Sequence, residues 1–83
     1  MKMSKNFIFT KTEYGAVLLN EKKSEYLQVN LTGVIIIDGI NSGESVENIS
    51  HKIASEFGIT HEDAAADVDE YVQTLLRRGV IRG

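Results

Sequence analysis

Apolar and polar positions change their period near residue 31. Before that point the apolar residues fall in short clusters that suit strands; after it they recur at helical spacing. Phe7-Ile8-Phe9-Thr10 predicts a first strand, and Lys11-Thr12-Glu13 a turn or irregular link. Tyr14-Gly15-Ala16-Val17-Leu18-Leu19 is apolar on both faces, which fits a central strand better than an edge. Asn20-Glu21-Lys22-Lys23 is a polar loop of hairpin length, and Ser24 to Val29 predicts a third strand. Leu27 and Val29 share one face of that strand, while Tyr26 and Gln28 share the other. Consecutive strands usually pair, so the expected sheet is an antiparallel meander with one side of the third strand unpaired.

Three helices should follow. Leu31 to Ile40 contains Val34-Ile35-Ile36-Ile37, which locally favours a strand. A helix is nevertheless expected, because Asn30 or Thr32 can cap its start and Asn41-Ser42-Gly43 can end it. The second helix has Ser45 as its cap, Glu47 in its first turn and a stripe of Val46, Ile49, Ile53 and Phe57; Gly58 stops it. The third begins at Thr60, which can cap the Asp63 amide, and buries Ala65, Val68, Val72, Leu75 and Leu76. Arg77 and Arg78 suit its C-terminal dipole, Gly79 ends it, and Val80-Ile81 is expected to pack back on the sheet. The expected fold is α+β, a three-stranded antiparallel meander followed by three helices, like a winged helix-turn-helix.

Composition narrows the function. The 83 residues predict a single domain, 1–83, with an ordered core over about 7–82. The absence of Cys removes disulfides, thiolate metal sites and a cysteine nucleophile. There is no apolar run of membrane-spanning length, and the apolar stretch behind the basic start is too short for a signal peptide, so a cytoplasmic protein without a membrane partner is expected. No phosphate-loop or nucleophile-elbow pattern occurs. His51 and His61 lie on different predicted helices without a Cys or i+4 His partner, and read as surface or capping residues. Glu62, Asp63, Asp67, Asp69 and Glu70 lack calcium-loop spacing and read as a solvated helix face. Neither a cofactor, a bound metal nor catalysis is expected.

Two binding modes remain. A winged helix could bind DNA, but residues 60–78 hold five acids against two arginines, which phosphates repel; no nucleic-acid partner is expected. The alternative uses the open edge of the third strand, Glu25, Tyr26, Leu27, Gln28 and Val29, as a template for an added peptide strand. Ala64, Asp67, Val68, Tyr71 and Leu75 recur at three- or four-residue spacing and would wall the groove. Small Ala64 leaves room, Val68 and Leu75 give apolar contact, and Asp67 can fix a polar group. Val68 and Leu75 read equally well as core, and Tyr71 as a core-edge aromatic. Either Glu25, Leu27 and Val29 or Tyr26 and Gln28 would pair with the peptide, depending on register.

The same residues carry a family likeness. Tyr14-Gly15-Ala16-Val17-Leu18-Leu19-Asn20, Tyr26-Leu27-Gln28-Val29-Asn30-Leu31-Thr32-Gly33, Gly43-Glu44-Ser45-Val46-Glu47-Asn48-Ile49, Phe57-Gly58-Ile59, Ala66-Asp67-Val68 and Leu75-Leu76-Arg77-Arg78-Gly79-Val80-Ile81 form an ordered set. Together they resemble the PqqD-like proteins, or RiPP recognition elements, of ribosomally made and modified peptides. The set resembles most the stand-alone leader-binding proteins of lasso-peptide clusters. Leu31 departs from the family, which often has Pro there; at a helix start Pro is favoured but not required. The resemblance implies binding of a precursor peptide's leader by the third strand and third helix. It also implies a separate leader peptidase, resembling a transglutaminase-type cysteine protease, and a leader with a Tyr-x-x-Pro-type motif. A PqqD-type peptide chaperone serving a radical enzyme and a winged-helix DNA binder are the alternative readings.

Overall fold

A computed structural model describes all residues from Met1 to Gly83. The elements in chain order are β1 (Lys2–Met3), β2 (Phe7–Thr12), β3 (Gly15–Asn20), β4 (Glu25–Val29), α1 (Leu31–Asn41), α2 (Val46–Phe57), α3 (His61–Arg77) and β5 (Ile81–Arg82). β2, β3 and β4 form the expected antiparallel meander with β3 central. Ala16 and Leu18 point into the core, while Val17 and Leu19 are half-buried on the other face.

Several details differ from the sequence expectation: on the helices, Phe57 and Leu76 stand 43% and 36% exposed, and Ala64 rather than Ala65 is fully buried. Lys11 and Thr12 continue β2, because a two-residue link, Glu13-Tyr14, lets the ladder run to Thr12↔Gly15. Tyr14 is therefore not in a strand; it stands 85% exposed at the hairpin tip. Gly15 opens β3 at φ +154°, and a Cβ there would run into the Val29 carbonyl. Ser24 adopts φ 54° and closes the loop, so β4 starts at Glu25. The C-terminal tail does not join the meander. Ile81 and Arg82 pair with Met3 and Lys2 in a separate two-stranded sheet, burying Val80 and Ile81.

α1 begins where Asn30 Oδ1 accepts from the Gly33 amide at 2.8 Å, which leaves Leu31 at its first position. Its β-branched run is helical because the helix is enclosed: α1 touches β1, β3, β4, α2 and α3. Ile36, Ile37 and Ile40 are almost fully buried. Burial of about 1.5–3 kcal/mol for each such side chain outweighs propensity losses of a few tenths. Ser45 Oγ caps α2 through the Asn48 amide, and Thr60 Oγ1 caps α3 through the Asp63 amide, each at 3.1 Å. Gly79, at φ +74°, turns the chain out of α3 while the Val80 amide donates to the Leu75 carbonyl at 2.9 Å. One cluster of 14 buried apolar residues joins sheet and helices, from Ala16 and Leu18 through Ile36 and Ile53 to Val68 and Leu75.

Candidate peptide-binding site

The open edge of β4 lies beside α3. At one end a depression of about 410 Å³ is lined by Thr12, Tyr14, Gln28, Val29, Asn30 and Tyr71, among others. A neighbouring one of about 330 Å³ shares Asn30 and Tyr71 and adds Thr32, Asp67, Glu70 and Thr74. Across the other end of the sheet a smaller hollow of about 130 Å³ is bounded by Phe7, Asn20, Glu25, Tyr26, Leu27, Arg78 and Val80. The C-terminal end of β4 thus shares a depression with Tyr71 of α3, while its N-terminal end borders Arg78 and Val80, just beyond α3.

Backbone register decides which β4 groups face outward. The Glu21 amide donates to the Asn6 carbonyl at 2.9 Å, one step beyond the Phe7↔Asn20 pair. Hydrogen-bonded pairs alternate along an antiparallel ladder, so Gly15, Val17 and Leu19 bond to β2. Ala16, Leu18 and Asn20 then bond to Val29, Leu27 and Glu25. The N–H and C=O groups of Tyr26 and Gln28 consequently point to the open edge. Their side chains are exposed on the outer face of the sheet, while Leu27 and Val29 turn inward.

Along α3 the expected wall divides in two. Asp67 and Tyr71 line the depressions. Ala64, Val68 and Leu75 are at most 1% exposed and belong to the core, where they set the position of the helix behind the groove. Glu70, Thr74, Asn30 and Thr32 also line the site and were not anticipated; Glu70 and Thr74 lie on the same three- and four-residue row as Asp67 and Tyr71.

Tyr71 is half-buried at the junction of the two larger depressions, and burial raises its pKa above the ordinary tyrosine value. A Cβ on Gly33 would stand 2.5 Å from the Tyr71 hydroxyl and 2.6 Å from Val29 Cγ1. The bare Gly33 backbone is therefore what lets the Tyr71 ring lie across the start of α1. Asp67 and Glu70 line the second depression and take part in neither the Lys11–Asp38 nor the Glu44–Lys52 ion pair, so they give its rim an acidic character. No helix is long and apolar enough to cross a membrane.

The family model of coenzyme PQQ synthesis protein D (PqqD) matches residues 15–81, from the first residue of β3 to the first of β5. The chain belongs to the PqqD family. Two solved structures share its whole fold. Lasso peptide synthetase B1 complexed with the leader peptide superposes at a TM-score of 0.91 and 27% identity, over 99% of this chain and 96% of that one. TbiB1 in complex with the TbiA(beta) leader peptide gives a TM-score of 0.90 at 20% identity, over 100% and 96%, and at that identity the likeness is one of fold. No curated protein matches the chain.

Proposed function

We propose that this PqqD-family protein, acting as one recognition unit over residues 1–83, binds the leader region of a precursor peptide in lasso-peptide biosynthesis. The leader adds as a strand to β4, bonds to the outward groups of Tyr26 and Gln28, and packs its side chains against Asp67, Tyr71 and their neighbours on α3. Its role is non-catalytic: it raises the concentration of the leader at a separate leader peptidase of the transglutaminase-like cysteine protease type. The observation that supports this reading is the unpaired β4 edge, whose C-terminal end shares a depression with Tyr71 of α3.

Magnitudes explain why the hollows matter. Two outward residues offer about four hydrogen bonds, worth roughly 1 kcal/mol each net. A micromolar complex needs about 8 kcal/mol, so leader side chains must supply at least the other half. At about 25 cal/mol per Å² that is on the order of 160 Å² of apolar surface, within the reach of one large side chain seated by Tyr71. The acidic rim of Asp67 and Glu70 favours a leader carrying Lys or Arg nearby.

Fluorescence polarisation of a labelled leader, from the precursor encoded beside this protein, tests the reading at physiological salt. Saturable micromolar binding that a scrambled leader lacks supports it; no binding by folded protein removes it. The family match itself favours one second reading, peptide delivery to a radical enzyme. Co-purification with that enzyme instead of a protease distinguishes the two.

A further inference from the structure

Away from the groove, the turn between α2 and α3 brings together three side chains that are separate in sequence. Glu47 and His51 stand one helical turn apart on α2, with Glu47 Oε1 3.9 Å from His51 Nε2. His61, the first residue of α3, stacks on His51 with ring centroids 4.0 Å apart and planes at 21°. One ligand atom from each of the three residues lies within 4.8 Å of the other two.

We propose that Glu47, His51 and His61 bind a divalent transition-metal ion of the zinc type, which clamps the first turn of α3 to α2. Two imidazoles and one carboxylate, with water in the remaining position, form a known class of three-ligand zinc site. Bonds of about 2.0–2.2 Å in tetrahedral geometry put ligand atoms roughly 3.4 Å apart. The cluster must therefore close by a little over an ångström. In-plane lone pairs of two rings stacked at 21° do not converge on one ion, so one imidazole must also turn about its Cβ–Cγ bond. All three residues are exposed, and neither adjustment displaces a buried group. The N-terminus of α3 disfavours a cation, but Glu47 supplies a carboxylate ligand and Glu62 and Asp63 add negative charge to the same first turn as His61. The sequence spacing conceals this site because two ligands come from one helix and the third from the next.

Isothermal titration of Zn²⁺ into the full chain, free of any polyhistidine tag and at neutral pH, tests the proposal. One equivalent should bind saturably in the micromolar range, and Zn²⁺ should raise the thermal midpoint. His51→Ala and His61→Ala should each weaken binding about tenfold or more and abolish the thermal rise, with Glu47→Gln weakening it less. Circular dichroism of the metal-free variants should match wild type, since the substituted side chains are exposed. Absence of saturable heat with wild type overturns the site. Zn²⁺ binding that both histidine variants retain overturns it equally.

Discussion

Replacing Gln28 by proline separates the outward backbone of β4 from its inward packing. The register leaves the Gln28 amide unpaired within the protein, so removing it breaks no bond of the β3–β4 ladder. Proline is tolerated on an edge strand in that orientation, and Gln28→Pro should cost folding stability no more than about 1 kcal/mol. Leu27→Pro is the contrast. It deletes a donor to the Leu18 carbonyl, which is buried with its residue, and removes a half-buried leucine side chain. An unsatisfied partner costs roughly 1–3 kcal/mol and the lost packing adds to it, so Leu27→Pro should destabilise by about 2–4 kcal/mol. For the leader, one lost hydrogen bond of about 1 kcal/mol corresponds to about fivefold weaker binding. The proline ring also intrudes on the incoming strand, which makes that a lower bound. Gln28→Ala keeps the amide and should bind within twofold of wild type, to order of magnitude. Thermal melts and polarisation titrations on the three variants provide the comparison. If Gln28→Pro unfolds as readily as Leu27→Pro, the register is wrong; if it folds and binds leader like wild type, strand addition at this edge is wrong.

Asp67→Ala and Glu70→Ala should leave the melting temperature unchanged and weaken a basic leader by up to about 1 kcal/mol each, an effect that shrinks as salt rises; salt-independent affinity in all variants would show that the rim carries no charge recognition. Gly33→Ala places a methyl group against the Tyr71 hydroxyl and Val29 Cγ1, so overpacking of about 1–3 kcal/mol should exceed the helix-propensity gain of under 1 kcal/mol, with leader binding reduced as the ring shifts. Burial raises the Tyr71 pKa in the folded state, so its stability contribution is complete below the unfolded tyrosine value near 10 and is lost as pH rises through the folded value. The difference in unfolding free energy between wild type and Tyr71→Phe should accordingly change in alkaline solution and stay flat near neutrality.

What the sequence disclosed follows from which forces are local. Ser45, Thr60 and Gly79 act within one turn of themselves, so both ends of α3 and the start of α2 were legible before any tertiary contact was known. α1 was legible through Asn30 against its own β-branched run, because capping is local and the burial that overrides propensity is not. β1 and β5 were illegible: two-residue strands carry no period, and the pairing of Met3 with Ile81 joins opposite ends of the chain. At the groove, Asp67 and Tyr71 were readable from helical spacing. That spacing could not divide the accessible wall from Ala64, Val68 and Leu75 behind it, since only the packing of α2 and α1 against α3 decides depth. The choice of Tyr26 and Gln28 over their neighbours needed the phase of the ladder, which one bond outside the strands, Glu21 to Asn6, reveals.

Amide hydrogen exchange of the protein with and without its leader peptide tests the central claim at single-residue level. The amides of Tyr26 and Gln28 should exchange rapidly in the free protein and become protected on binding, while those of Leu27 and Val29 are protected in both states. Leader binding that leaves the Tyr26 and Gln28 amides as exposed as before would contradict strand addition to β4.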